Sequence, residues 1–457
     1  MGAVQAIVPR LVPPRIAPPP RPLRGLAFLA GFVRNPIGVV PQAAYEQDLV
    51  AYARGRREIV WITSPALIRQ VLLEERETFL KLAQIRLLSP LLGKGILTSE
   101  GAVWKWQRQA AAPMFRQQDL EEFVPAFVRA AREAVERWRA RPGVQATDRD
   151  MTQATFDVIS ATLLPSADAR MPQAVEGSMG QFQRSGAWGQ LYAVVNLPRW
   201  LPQPGRFAMA RSVRDLRAAV ARVIAERRAE STPPDDLLGR LMRARDPETG
   251  QAMNDEQLVD NLLTFYLAGH ETTAKALTWT LYLLASSPEW SAALEEEVAR
   301  VTQGGEVEAA HIERLVLTQQ VLKESMRLYP PVPLMTRQAV ADTKLGGHAV
   351  RAGTSVVMPI YAIHRHVRRW EDPDAFDPAR FSPEREAAMP RYQYMPFGAG
   401  PRICIGQAFA MIEATAMLAT FVARARFAPV PGSEPAPVAR VTLIPKGGMP
   451  LAVRLRS

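Results

Sequence analysis

Apolar residues recur at three- and four-residue steps through long stretches of this chain, a period that predicts helices. FVPAFVRAAREAVERWRA (123–140) and ARSVRDLRAAVARVIAERRAE (210–230) are amphipathic in this way. Residues 57–61 and their neighbours, REIVWITSP (57–65), look like a strand, and SPALIRQVLLEE (64–75) returns to the helical period. Helical patterning then dominates to about residue 329. Short extended pieces follow in LMTRQAVAD (334–342), TSVVMPI (354–360), TLIPKGG (442–448) and LAVRLR (451–456). The expected fold class is mainly α with small segregated β-sheets, an α+β arrangement.

One predicted helix stands apart. Asn254 is a good N-cap and Gln257 completes a capping-box pattern. The helix then runs through DEQLVDNLLTFYLAGHETTAKALTWTLYLLASS and stops before Pro288. Its roughly 32 residues span about 48 Å. A globule of this length has a radius of gyration of only roughly 22 Å. The helix must therefore cross the core, and it is apolar nearly all round. The exception is its middle, AGHETT, Ala268 to Thr273. Gly269 weakens a helix by about 1 kcal/mol relative to Ala. Glu271, Thr272 and Thr273 bring an acid and two hydroxyls into expected core, which is costly unless they are used. Ala268 and Thr272 share one face. A zinc reading of HET fails, because the second histidine of HExxH falls at Ala274. The bland alternative is a kinked helix with Glu271 reaching solvent.

Residues 8–22, VPRLVPPRIAPPPRP, hold seven prolines and read as a polyproline-like arm or a disordered tail. We expect an arm over 1–25 and a single catalytic domain over 26–457. No secretory signal precedes it, and RGLAFLAGFV (24–33) is too short to span a bilayer. The chain carries a net charge of +11 with no compact basic run, which favours an acidic partner over nucleic acid. Its one cysteine, Cys404, excludes an internal disulfide and a multi-cysteine zinc site, and points to the cytoplasm.

Cys404 sits in MPFGAGPRICIGQAFAM (395–411). It could be an inert buried thiol, a nucleophile or a metal thiolate. The flanks favour the last. Gly398, Gly400 and Gly406 let backbone turn tightly and approach a flat object. Nearby amides stabilise a thiolate. Arg402 is placed to meet an anionic group on the same ligand. Ile405, Phe409, Ile412 and Ala416 then form one helical face.

FGAGPRICIG (397–406) resembles the haem-binding signature of the cytochrome P450 superfamily, Phe-x-x-Gly-x-Arg-x-Cys-x-Gly, at every fixed position. AGHETT resembles that family's oxygen-activation motif. KESMR (323–327) carries its Glu-x-x-Arg pair, Glu324 and Arg327, which alone is worth little because such pairs are common on solvated helices. FDPARF (376–381) resembles the meander that adds Arg380, and WKWQR (104–108) resembles a Trp-x-x-x-Arg element that reaches a haem propionate.

The resemblance implies a P450 fold with the long central helix over a haem b, and Cys404 as axial thiolate. Trp104, Arg108, Arg337 and Arg402 would hold the propionates, with Arg337 placed only by its position after YPPVP. Phe397 would pack by the thiolate. Ala268 and Thr272 would face the sixth iron position, with Thr272 relaying protons and Glu271 feeding them from solvent. Glu324, Arg327 and Arg380 would be structural. The implied reaction inserts one atom of O2 into a lipophilic substrate, with fatty acids and terpenoids the weakly indicated classes. Electrons would come from a separate acidic ferredoxin or flavoprotein, docking by Lys105, Arg108, Arg116 and Arg402. The expected protein is a soluble monomer with no transmembrane anchor. A peroxide-driven peroxygenase and a haem-thiolate sensor are the alternatives; the acid–alcohol pair Glu271–Thr272 argues against both. The pocket is expected along IRLLSPLLGKGILTS (85–99) and AWGQLYAVVNLPRWLP (187–202).

Overall fold

The computed structural model describes residues 10–54, 57–162, 188–189, 192, 205–231 and 236–456. Among these, the helices of ten residues or more are α1 (Gly25–Arg34), α2 (Leu82–Leu92), α3 (Gly101–Ala111), α4 (Val124–Ala140), α5 (Thr147–Thr162), α6 (Arg206–Ala229), α7 (Asp255–Ala285), α8 (Pro288–Thr302), α9 (Val316–Leu328) and α10 (Gln407–Arg424). The strands are β1 (Leu49–Arg54), β2 (Arg57–Ile62), β3 (Phe79–Leu80), β4 (Gly143–Ala146), β5 (Met335–Ala339), β6 (Thr343–Leu345), β7 (His348–Val350), β8 (Ser355–Met358), β9 (Ala425–Pro429), β10 (Ala436–Ala439), β11 (Leu443–Lys446) and β12 (Pro450–Leu455). They form a sheet in the order β1-β2-β8-β5-β3, a sheet β4-β12-β9, and two hairpins, β6-β7 and β10-β11. The sheets stand apart from the helical body, as the segregated pattern predicts.

α7 starts where its cap predicts. The Asn254 side chain accepts from the Gln257 amide, and the Gln257 side chain accepts from the Asn254 amide. At 1.5 Å per residue α7 is about 46 Å long. It packs most extensively on α5. Gly269 explains that closeness: a Cβ there would lie 2.8 Å from Ile159 Cδ1 on α5. The glycine is thus a packing device rather than a kink. Buried hydroxyls on α7 return to their own helix, Thr264 to the Asp260 carbonyl and Thr278 to the Ala274 carbonyl, each at 2.7 Å. The Trp279 indole N–H leaves the helix and donates to the Leu443 carbonyl at 2.9 Å.

The Glu324–Arg327 pair is not the solvated helix pair that spacing alone allows. Both side chains are fully buried. Arg327 donates to both Glu324 oxygens at 2.7 Å and to the carbonyls of His364, Pro373 and Ala375 at 2.6–2.9 Å. Arg380 adds an ion pair to Glu324 at 3.4 Å. One cation with all its donors satisfied therefore ties α9 to the segment 372–377. Burial is tolerated because the charge is both paired and hydrogen-bonded.

The proline-rich stretch from residue 10 lies extended along this same segment. The Phe376 amide donates to the Leu11 carbonyl at 2.9 Å, and the Tyr329 hydroxyl donates to the Pro14 carbonyl at 2.7 Å. Arg10 pairs with Asp372 and Asp377, and Arg15 with Asp374. A chain without amide donors at its prolines suits a path where carbonyls do the accepting.

Candidate active site

The cysteine loop runs between β8 and α10. Gly398 and Gly400 have φ of +73° and +71°, a region that strains any residue with a Cβ. A Cβ on Gly400 would also lie 2.7 Å from the Leu72 carbonyl oxygen. The Cys404 amide donates to the Phe397 carbonyl at 3.0 Å and closes the loop. Gly406 differs from expectation: its φ is −89°, which any residue adopts, and a Cβ would make only an ordinary 3.7 Å contact with the Phe115 ring. Its contribution is its N–H, which lies by the sulfur and favours the thiolate. Burial raises the Cys404 thiol above its usual range; the Gly406 amide and the Arg108 guanidinium pull it back. The side chain nonetheless has accessible surface.

Phe115 connects this loop to α7. It stacks on Phe265 at 5.7 Å and meets the edge of Phe409 at 6.4 Å. Phe265, Ala268 and Thr272 stand three and four residues apart, so they share one face of α7. From Leu258 to Ala285 every residue of α7 is buried except Ala268, Gly269 and Thr272. The polar break in the sequence is therefore the opening in an otherwise sealed helix. Thr272 Oγ1 donates to the Ala268 carbonyl at 2.8 Å.

Glu271 does not reach solvent; it is 3 % exposed. It accepts from the Thr442 hydroxyl at 3.1 Å and lies 3.7 Å from Lys275 Nζ. His270 turns away, its Nδ1 2.6 Å from the Tyr266 carbonyl. Burial lowers its pKa below the usual range, with the Tyr266 carbonyl and Glu271 opposing. Among the described residues no cluster of His, Cys, Asp and Glu could hold a metal ion. Glu413 on α10 has its carboxyl pushed well above the usual range by burial, with the Thr273 hydroxyl opposing the shift.

On the other flank, basic groups converge from three distant segments. The Arg402 guanidinium lies 3.8 Å over the Trp104 ring, with that of Arg108 at 5.9 Å. Arg402 also donates to the Ser99 carbonyl at 3.0 Å and pairs with Glu100. Arg108 donates to the Ile403 carbonyl at 2.9 Å, so it braces the residue before Cys404. Arg337 is buried on β5, and burial pushes it down to about 10, with Glu100 opposing and Arg402 adding to the fall. Pairing of Leu80 with Gln338 brings the next residue, Lys81, beside it. Lys81 is 5 % exposed, and its ammonium donates to the Leu97 carbonyl at 2.9 Å. Burial, then Arg402 and Arg337, push it down to about 7. Sequence reasoning missed Lys81, a lone lysine in the apolar run TFLKLA with no motif around it.

Among the described residues, four cations gather here around one carboxylate, Glu100. That excess is expensive in a buried site, and a group carrying two carboxylates would offset it. A planar dianion with a thiolate-binding metal fits this donor set: Cys404 for the metal, Lys81, Arg108, Arg337 and Arg402 for the carboxylates, glycines for close approach.

Of the expected substrate-lining segments, 85–99 is described. α7 holds it: Asp260 accepts from the Lys94 amide at 2.7 Å and Asn261 from the Ile96 amide at 3.0 Å. The segment 187–202 lies outside the described residues except for Trp188, Gly189 and Tyr192.

A family model described as Cytochrome P450 matches residues 16–451, and the chain belongs to that family. It is 32 % identical over 429 residues to cyclooctatin synthase of Streptomyces melanosporofaciens, covering 94 % of this chain and 93 % of the relative. It is 30 % identical over 411 residues to pentalenene oxygenase of Streptomyces avermitilis, covering 90 % and 91 %. A cytokinin hydroxylase of Arabidopsis thaliana is 32 % identical over 422 residues, covering 88 % and 81 %. The solved haem domain of cytochrome P450DA superposes with a TM-score of 0.84 at 27 % identity, covering 97 % of this chain and 98 % of that one. The protein is a P450 monooxygenase, a haem-thiolate oxidoreductase that uses O2, an organic substrate and a redox partner. No helix among the described residues is long and apolar enough to cross a membrane.

Proposed function

We propose that this protein uses haem b to hydroxylate a lipophilic substrate of the terpenoid class. The observation that carries the site assignment is the single opening in α7 at Ala268, Gly269 and Thr272, on the face that Phe265 and Phe115 link to the cysteine loop. Cys404 would be the axial ligand. Trp104, Arg108, Arg337 and Arg402, with Lys81, would hold the carboxylates. Gly398 and Gly406 would let the loop lie close, and Phe397 would pack beside the sulfur. Bound haem supplies oxygen activation, and thiolate ligation favours O–O cleavage. Thr272 would hold and pass a proton at Oγ1 on the open face, and Glu271 would resupply it from behind. Glu324, Arg327 and Arg380 would keep the cysteine side rigid.

The terpenoid class draws support from two relatives' names, cyclooctat-9-en-7-ol 5-monooxygenase and pentalenene oxygenase. The electron donor we propose is an acidic ferredoxin or flavoprotein, because Lys105 and Arg116 are exposed near the cysteine side and the chain carries a net charge of +11. A cytoplasmic monomer accords with a chain whose one cysteine is committed to the site.

The test is a titration of the purified haem-loaded protein with sesquiterpenes, diterpenes and fatty acids, read at the Soret band. Terpenoids should shift it, and turnover under labelled dioxygen should place one labelled atom in the product. Shifts confined to fatty acids would replace the substrate class. Cys404→Ser should abolish the red-shifted ferrous carbon monoxide band; its persistence would overturn the ligand assignment.

A further inference from the structure

A lysine is an odd residue for the middle of a helix that crosses a core. Lys275 stands one turn after Glu271, with its side chain 8 % exposed. Taking an ammonium out of water is costly unless it is paired and hydrogen-bonded. Its neighbours are specific. Nζ lies 3.7 Å from Glu271 Oε1 and donates to Thr152 Oγ1 on α5 at 3.2 Å. Thr152 is half-buried, and its own hydroxyl also donates to the Asp148 carbonyl at 2.8 Å. The same Glu271 Oε1 accepts from the Thr442 hydroxyl at 3.1 Å. α5 lies close to α7 just before this pair, because Thr155 donates to the His270 carbonyl at 3.0 Å and Gly269 lets α5 approach. An acid four residues before a base is also the favourable order on a helix.

We propose that Lys275 is a positioning residue for proton delivery. It anchors the Glu271 carboxylate on the Thr442 side of α7, behind Thr272, and links it through Thr152 toward the outer face of α5. The inference rests on the proton-delivery role proposed above for Glu271. It differs from that role in what it claims: Glu271 is held as one half of a buried pair, rather than hanging free toward solvent. Removing the ammonium takes away the cation that faces a buried carboxylate, and loss of such a partner favours the neutral acid.

The test uses the haem-loaded full chain with glutamate labelled at its side-chain carboxyl. The infrared difference between Lys275→Met and the unsubstituted protein should show a new carboxylic acid C=O band. That band should vanish when Glu271→Gln is added. Glu413 sits in both proteins and cancels. Lys275→Arg, which keeps a cation, should show no new band. Coupled product formation should fall by about tenfold in Lys275→Met, less than the roughly 10²–10⁴-fold that outright loss of a general acid or base costs, with the difference appearing as peroxide. No new Glu271 band in Lys275→Met would overturn the proposal. If Lys275→Met fails to load haem, the Lys275→Met/Glu271→Gln pair decides: restored loading supports a coupled buried pair, and continued failure overturns it. The two readings separate cleanly. A new band together with undiminished turnover in Glu271→Gln would retain the pair and remove the proton-delivery role.

Discussion

The guanidinium of Arg402 lies 3.8 Å over the indole of Trp104, two residues before the cysteine in one case and 300 before it in the other. Stacking, the Ser99 carbonyl and the Glu100 ion pair fix the guanidinium plane, and a haem carboxylate would take a remaining donor. Arg402→Lys keeps the charge but loses the plane and the stack. We expect it to speed haem loss by about tenfold, which corresponds to roughly 1.4 kcal/mol. Transfer of haem to an apoglobin acceptor measures this. Equal loss rates would show that charge alone holds the group.

Lys81 gives a prediction of opposite sign in two states. Its ammonium is pushed down to about 7 from the usual 10.5. The folded apoprotein therefore binds fewer protons than the unfolded chain between those values, so stability rises with pH across that window and the full penalty applies below about 7. Lys81→Met should raise the apoprotein's melting temperature at neutral pH and flatten its rise toward pH 10. The same substitution should weaken haem binding, because a carboxylate loses its partner. Loss of stability in both states would mean that Lys81 is an ordinary structural residue.

The long helix and the cysteine loop were legible because their signals are local. Asn254 and Gln257 announce α7 within one turn, and the glycines around Cys404 state where backbone must bend. Lys81 was not legible, since its meaning depends on Arg337, brought beside it by strand pairing, and on Arg402, both more than 250 positions away. Glu324 and Arg327 read as a common helical pair until three carbonyls from 364 to 375 close around them. Gly269 read as a weak point; its reason is Ile159, on another helix. Patterns with a period are written along the chain, whereas the charge balance of a buried site is written only in space.

Lys105 on α3 and Arg116 just beyond it are exposed, and both flank the basic cluster by the cysteine loop. An acidic donor steered to them should reduce the protein more slowly as salt rises, because exposed charges are screened over about 8 Å at physiological ionic strength. Lys105→Glu should weaken the donor's apparent binding and leave substrate titrations unchanged. First-electron rates that ignore salt would point to an apolar docking face.

Acid should release the cysteine loop through His364. The imidazole is fully buried, and its Nε2 accepts the Met395 amide at 2.9 Å, so the proton of the neutral ring sits on Nδ1. Met395 in turn accepts from the Gly398 amide and begins the turn that carries Cys404. Burial, then Arg327 and Arg365, push His364 down to about 3 from the usual 6.5. The folded pKa is the lower one, so the stabilisation is complete above 6.5 and declines as pH falls toward 3. The slope is at most roughly 1.4 kcal/mol per pH unit. His366, pushed down to about 4, adds to the same loss. His364→Gln can keep an acceptor for Met395 without a titrating ring. We expect it to cost stability at pH 7 and to reduce the further loss on going to pH 4.5 by roughly half. Denaturant midpoints at the two pH values, read by both helicity and the Soret band, measure the difference. An identical acid loss in the two proteins would assign the titration elsewhere. A Soret band that survives at pH 4.5 while helicity falls would separate the loop from His364, and the link from this ring to Cys404 would fail.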